Sequence, residues 1–115
     1  MGRAFAAAII MTAMAGLATA APPPPSAKPP SWRCFVRDAM VFYDRTHVRC
    51  YNKTAQGVTY FAVDTSQPIA NSVVSKAVTA MQQGKPVKIV YAPGPDLNPP
   101  GCEKADCRRL LDITF

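Results

Sequence analysis

The sequence predicts a mainly β domain with one helix, and three observations carry that prediction. Short runs of β-branched and aromatic residues recur between Trp32 and Phe115, several of them alternating with a period of two. Only one stretch, Ile69 to Met81, places its apolar residues at helical spacings of three and four. Four cysteines, Cys34, Cys50, Cys102 and Cys107, lie among the strand runs and are even in number, as a disulfide-stapled small domain requires.

Each element has its own justification. Trp32 to Tyr43 is rich in β-formers (Phe35, Val36, Val41, Phe42, Tyr43), and Arg37-Asp38 interrupts it, so a long first strand with a bend or bulge is expected there. Asp44-Arg45-Thr46 reads as a turn. In the next run Thr46, Val48 and Cys50 alternate with His47, Arg49 and Tyr51, separating an apolar face from a basic, aromatic one. Asn52 to Gly57 has turn chemistry, and Val58 to Val63 is a third strand with Thr59, Phe61 and Val63 on one side. Ile69, Val73, Ala77, Ala80 and Met81 then form one stripe of a helix. Asp64, Thr65 and Ser66 offer capping oxygens before it, Pro68 suits its first turn, and Gly84 is a natural stop. Val87, Ile89 and Tyr91 alternate as a fourth strand. Four prolines and two glycines make Ala92 to Gly101 a loop, and Leu111, Ile113 and Phe115 alternate in a fifth strand.

The expected order is therefore β-β-β-α-β-β. It is the order of the OB-fold, a five-stranded Greek-key barrel in which a helix lies between the third and fourth strands. A long, bent first strand fits as well, because that strand serves both sheets of the barrel.

The bulk composition divides into three segments: 1–20, 21–31 and 32–115. Arg3, an uncharged apolar stretch from Ala4 to Leu17 and the small-x-small pattern Ala18-Thr19-Ala20 read as a secretory signal cleaved near Ala20. The stretch is shorter than the roughly 20 apolar residues that span a bilayer, so the mature chain is expected to carry no membrane span. Residues 21–31 hold six of the 12 prolines, which makes them an extended spacer without core contacts, or a ligand for a polyproline-reading domain. Residues 32–115 form the folded unit, and loss of Arg3 lowers the formal charge from +6 to +5. A periplasmic or secreted location follows from the signal and suits two disulfides. Three pairings are possible. Cys34–Cys50 with Cys102–Cys107 is the most local, and its first loop, roughly 15 residues, would contribute about 3 kcal/mol by the loop-entropy argument. The alternative, a zinc site, lacks the paired close ligands of a ribbon or finger. No Cys-x-x-Cys is present for redox catalysis.

Val63-Asp64-Thr65-Ser66, the helix through Met81, Gly84-Lys85-Pro86-Val87 and the closing Gly101-Cys102 … Asp106-Cys107-Arg108 together resemble small secreted bacterial proteins related to the subtilase cytotoxin and typhoid toxin B subunits. The resemblance covers roughly Cys34 to Phe115 at the level of pattern. It implies an OB-fold, pentameric assembly and binding of sialylated glycans. It places no binding residue on a numbered position of this chain. The Pro-rich tether and the Pro-rich loop before Cys102 depart from the toxin pattern.

No catalytic set, metal-ligand spacing or cofactor motif stands out, so a non-enzymatic binding module is expected. His47, the only histidine, reads as a solvent-facing strand residue. Ser72 and Lys76 stand one helical turn apart, but in an order unlike Ser-x-x-Lys. Asn52-Lys53-Thr54 is a glycosylation sequon, which acts only in a eukaryotic secretory pathway. The leading candidate site is the second-strand face. His47, Arg49 and Tyr51 point one way, Lys53 continues the line, and Tyr60 stands beside them on the third strand. Aromatic rings stack on sugars or bases while cations meet carboxylates or phosphates, so an anionic glycan is the expected ligand. The bland alternative is the solvated side of a half-buried sheet. Arg108 and Arg109 either flank that site or keep an edge soluble. Two other roles stay open: an interaction or inhibitor subunit for an envelope protein partner, and a nucleic-acid-binding OB domain.

Overall fold

The computed structural model describes residues 28–115; the signal reading and most of the tether lie outside the described residues. Among these residues six strands and one helix follow in order: β1 (Ser31–Cys34), β2 (Val36–Val41), β3 (Arg45–Cys50), β4 (Tyr60–Asp64), α1 (Ala70–Gln83), β5 (Val87–Tyr91) and β6 (Cys107–Thr114), with a 3-10 turn at Pro95–Leu97. The strands form one mixed sheet in the order β1-β5-β6-β4-β3-β2. All pairs are antiparallel except β4 with β6. The two ends of that order, β1 and β2, are consecutive parts of one stretch separated only by Phe35.

Five strands were expected, and the difference lies at Phe35. Asn52 occupies the break: its Oδ1 accepts from the Phe35 N–H at 3.0 Å and its Nδ2 donates to the Arg33 carbonyl at 2.7 Å. Trp32 Nε1 adds a bond to the Asn52 carbonyl. A side-chain amide thus takes the place of ladder partners, satisfying backbone groups where the strand changes neighbours. The expected irregularity at Arg37-Asp38 is a bulge, with Val36 opposite Cys50, Asp38 opposite Arg49, and Arg37 between them without a cross-strand partner.

One core lies between the sheet and the helix. Phe61, Ile89, Leu110 and Ile113 are its largest fully buried side chains, each contributing about 1.5–3 kcal/mol by removal from water. From α1, Val73, Ala77 and Ala80 enter the same core, as the helical spacing predicts, whereas Met81 remains 41% exposed. The expected caps from Asp64, Thr65 and Ser66 do not form. Ile69 is the N-cap residue and makes no side-chain bond, and the Thr65 hydroxyl instead donates to the Tyr43 carbonyl at 3.0 Å. Gly84 does end the helix, in the left-handed conformation at φ 63°.

Several boundaries differ from the expectation: the first run ends at Val41 and not Tyr43, and the strand expected over Val58 to Val63 is Tyr60–Asp64. Arg45 already belongs to β3, so the turn is Phe42-Tyr43-Asp44, two residues earlier than Asp44-Arg45-Thr46. The last strand begins at Cys107, and its core residues are Leu110 and Ile113, while Leu111 and Phe115 are exposed. A register shift between Val90 and Tyr91 explains the spacing of three, since it re-phases the strict alternation read from Leu111, Ile113 and Phe115.

Two disulfides are present, Cys34–Cys50 and Cys102–Cys107. The first joins the end of β1 to the end of β3, inside the core. The second closes a short loop at the start of β6. Among the described residues no helix is long and apolar enough to cross a membrane.

Candidate functional site

The outer face of β3 and β4 follows from the register. Arg49 stands opposite Tyr60, His47 opposite Ala62 and Arg45 opposite Asp64, while β6 places Cys107 beside Tyr60 and Arg109 beside Ala62. Period-two alternation therefore does put His47 and Arg49 on one side with Tyr60 adjacent. That side is not solvated, however. Ala62 and Cys107 are buried, and His47 is only 7% exposed. The chain segment from Pro93 to Asp106 folds back over the sheet and builds a second small apolar cluster there, Ala62 with Cys102 and Cys107, packed by Tyr60.

This roof is held by named bonds. The Asp106 carbonyl accepts from both Thr59 and Tyr60 N–H at 3.0 Å. Asn98 Nδ2 donates to the carbonyls of Cys102 and Cys107 at 3.1 and 3.0 Å. Arg109 donates from Nε to the Leu97 carbonyl and from Nη2 to Asp64 Oδ2 at 3.1 Å. The Cys102–Cys107 bridge lies at its centre. Arg109 therefore anchors the loop, whereas Arg108 bonds only backbone carbonyls, those of Lys104 and Cys107.

Beneath the roof the cations are spent on carboxylates. Arg49 donates from Nε to Asp38 Oδ2 at 3.1 Å, with Nη2 reaching the same oxygen, and from Nη1 to the Tyr60 hydroxyl at 3.3 Å. Arg45 pairs with Asp44 at 2.9 Å, lies 4.1 Å from the Phe42 ring centroid and donates from Nε to His47 Nε2 at 3.0 Å. Gly101, at φ 82°, passes so close that a Cβ there would overlap the Arg45 guanidinium. His47 sits edge-on between Phe42 and Tyr60, with ring centroids 5.4 and 6.0 Å away. The sequence reading of His47 as solvent-facing is thus corrected: the loop that covers it begins more than 40 residues later, beyond any local pattern. Burial, then the neighbouring Arg45, push the His47 pKa below 6.5; Asp44 and Asp106 oppose them. An Nε2 that accepts from Arg45 is the unprotonated one, so the neutral ring carries its proton on Nδ1.

Between sheet and roof remains a cleft of about 300 Å³ lined by His47, Tyr60, Gly101, Glu103, Asp106 and Cys107. Glu103 and Asp106 are the roof residues that sequence reasoning missed, since both sit in a loop whose course depends on the disulfide. Their carboxylates and His47 do not converge as metal ligands, and among the described residues no three His, Cys, Asp or Glu side chains do. The cleft offers carboxylate acceptors, a phenol and an imidazole edge.

The five candidate residues fall into two groups. His47, Arg49 and Tyr60 are together. Tyr51 and Lys53 are not with them, because β3 ends at Cys50 and the chain turns. Tyr51 N–H donates to the Phe35 carbonyl at 2.8 Å, its ring lies 5.8 Å from the Arg37 guanidinium, and it is 72% exposed. Lys53 is exposed in the following turn. The Ser72 hydroxyl and Lys76 ammonium each donate to a backbone carbonyl, of Ile69 and Ile113 respectively. No protein-family model, curated protein or solved structure matches the chain.

Proposed function

We propose that residues 32–115 form an exported, non-enzymatic binding module with an OB-fold-like barrel, and that its ligand is a glycan held in the cleft under the roof loop. The barrel reading is supported by the sheet order, whose ends are halves of one bent stretch, by the parallel β4–β6 pair, and by the position of α1 between β4 and β5. OB barrels use this face and its flanking loops for oligosaccharides and oligonucleotides. Export is supported by the leader pattern and by two disulfides.

One observation carries the ligand assignment: Tyr60 and His47 on the sheet face Glu103 and Asp106 on the roof across a space of about 300 Å³. Carboxylates accept hydrogen bonds from sugar hydroxyls, and aromatic edges pack on the apolar faces of sugar rings. Arg45 and Arg49 are already neutralised by Asp44 and Asp38. The charge of the cleft therefore favours hydroxyl recognition, and an acidic group on the glycan would have to lie outside it. Likeness to toxin B subunits belongs to the same proposal, with a pentamer as its expected assembly.

A glycan array followed by titration calorimetry tests this. Asp106→Ala and Tyr60→Ala should each weaken binding about tenfold or more, as loss of a charge-assisted hydrogen bond or a stacking ring does, while Tyr51→Ala leaves it unchanged. Loss on Tyr51→Ala with retention on Asp106→Ala would move the site elsewhere. Mass measured in solution distinguishes pentamer from monomer. A second reading, an interaction subunit for an envelope protein, is favoured by the β2–β3 hairpin. Val41 and Tyr43 stand 65% and 96% exposed at its tip, and a stoichiometric protein partner that binds without glycan would support it.

A further inference from the structure

We infer that the corner where β1, β2, the end of β3 and the end of α1 meet is a docking surface for a bilayer of anionic phospholipid. Its occupant follows from charge and from the shape of the corner. Residues 31–37, 50–58 and 84–91 supply Arg33, Arg37, Lys53, Lys85 and Lys88 and contain no Asp or Glu, and Asp38, next in β2, is held by Arg49. Arg33 stands directly opposite Lys88 in the β1–β5 register, a like-charge pair that costs stability unless an anion lies over it. The contrast with Arg45, Arg49 and Arg109 is complete, since each of those three holds a carboxylate.

Apolar side chains project between these cations. Phe35 is 42% exposed with the Arg33 guanidinium 5.4 Å from its ring centroid, and Tyr51 is paired in the same way with Arg37. The bulge that leaves Arg37 unpartnered aims it there. Phe35, Arg37, Tyr51, Met81 and Lys85 rim a shallow depression of about 270 Å³ floored by Val36, Ala80 and Gly84. The floor carries no hydrogen-bonding side chain, so a ligand there is held by the cations of the rim and by apolar contact. Cations around protruding Phe, Tyr and Met suit a headgroup layer. Phosphates meet the guanidinium and ammonium groups, and the rings and thioether enter the acyl boundary.

Partition of the full chain onto vesicles of phosphatidylglycerol and of phosphatidylcholine, at low and moderate salt, tests the inference. Any contribution of residues 1–20, including that of Arg3, is common to every variant, so the site is read from differences between variants. Binding should favour phosphatidylglycerol and fall with salt. Arg33→Ser with Arg37→Ser should weaken the phosphatidylglycerol partition about 25-fold, at about fivefold for each surface cation. Tyr51→Ala should lower partition onto that lipid with the salt dependence unchanged. Lys104→Ser, an exposed cation on the opposite loop, serves as the control of equal chemistry. Equal partition onto both lipids overturns the inference, as does a loss on Lys104→Ser matching that of Arg33→Ser. So does tight binding of a single-stranded oligonucleotide, lost on Arg37→Ser, with no vesicle binding.

Discussion

Two groups of arginines emerge from strands of the same sheet, and their surroundings differ more than their sequence does. Under the roof loop, Arg45, Arg49 and Arg109 face Asp44, Asp38 and Asp64 and are 20–30% exposed. At the Phe35 corner, Arg33 and Arg37 lie over aromatic rings and pair with no carboxylate, the adjacent Asp38 being held by Arg49. The first group locks a sheet face and a loop together. The second is left for a partner. A basic residue in a sequence thus signals a ligand only when its nearest acid has been located.

The comparison can be broken at the staples first. Replacing Cys34 and Cys50 by Ala should cost about 3 kcal/mol, because that bridge closes the longer loop, and Tm should fall by 12 °C or more for a domain of this size. Replacing Cys102 and Cys107 should cost about 2 kcal/mol, and its distinctive effect is local: the roof loosens and solvent exchange at His47 rises. Equal melting losses without a change at His47 would show that the second bridge does not hold the roof.

Gly101→Ala comes next. It forces a side chain into a left-handed backbone and onto the Arg45 guanidinium, so a loss of about 1–3 kcal/mol in chemical denaturation is expected. Double substitution with Arg45→Ala should return part of that loss, and a strictly additive pair would separate Gly101 from the Arg45 contact.

Acid sharpens the same region. His47 has its pKa lowered in the folded state, so folding disfavours its proton. Its contribution is constant above pH 6.5, where both states are neutral, and stability falls as pH drops from 6.5 towards the lowered value. Protonating Nε2 also turns the acceptor of the Arg45 bond into a second cation. Denaturation curves from pH 8 to pH 5 should show this decline, and His47→Gln should flatten that part of it. An unchanged slope would show that the buried ring is not the group responsible. The smallest effect belongs to Asp38→Asn, which breaks the pair with Arg49. A part-exposed pair of this kind contributes about 0.2–1 kcal/mol.

Period-two and helical patterning made most of the fold legible, because it reports which side of each segment meets the core. Phe61, Val63, Val73, Ala77, Ile89 and Ile113 are buried as their spacing predicts. What the pattern missed depends on partners distant in the chain. The break at Phe35 is made by Asn52, and the core choice of Leu110 over Leu111 by a bulge on β6 that leaves Leu111 without a partner on β5. The candidate site was half legible for the same reason. Alternation put His47, Arg49 and Tyr60 on one face, but it also carried Tyr51 along, although β3 stops at Cys50. No local rule could place Pro93 to Asp106 across that face, and so Glu103 and Asp106 went unseen.

Partnering, and not charge alone, is held to decide which arginines are free to bind. The most direct measurement follows the guanidinium Nε–Hε resonances while inorganic phosphate is added. Arg33 and Arg37 should shift in a saturable way, whereas Arg45, Arg49 and Arg109, whose Nε–H groups are bonded to His47, Asp38 and Leu97, should not. Equal shifts in both groups would contradict the account.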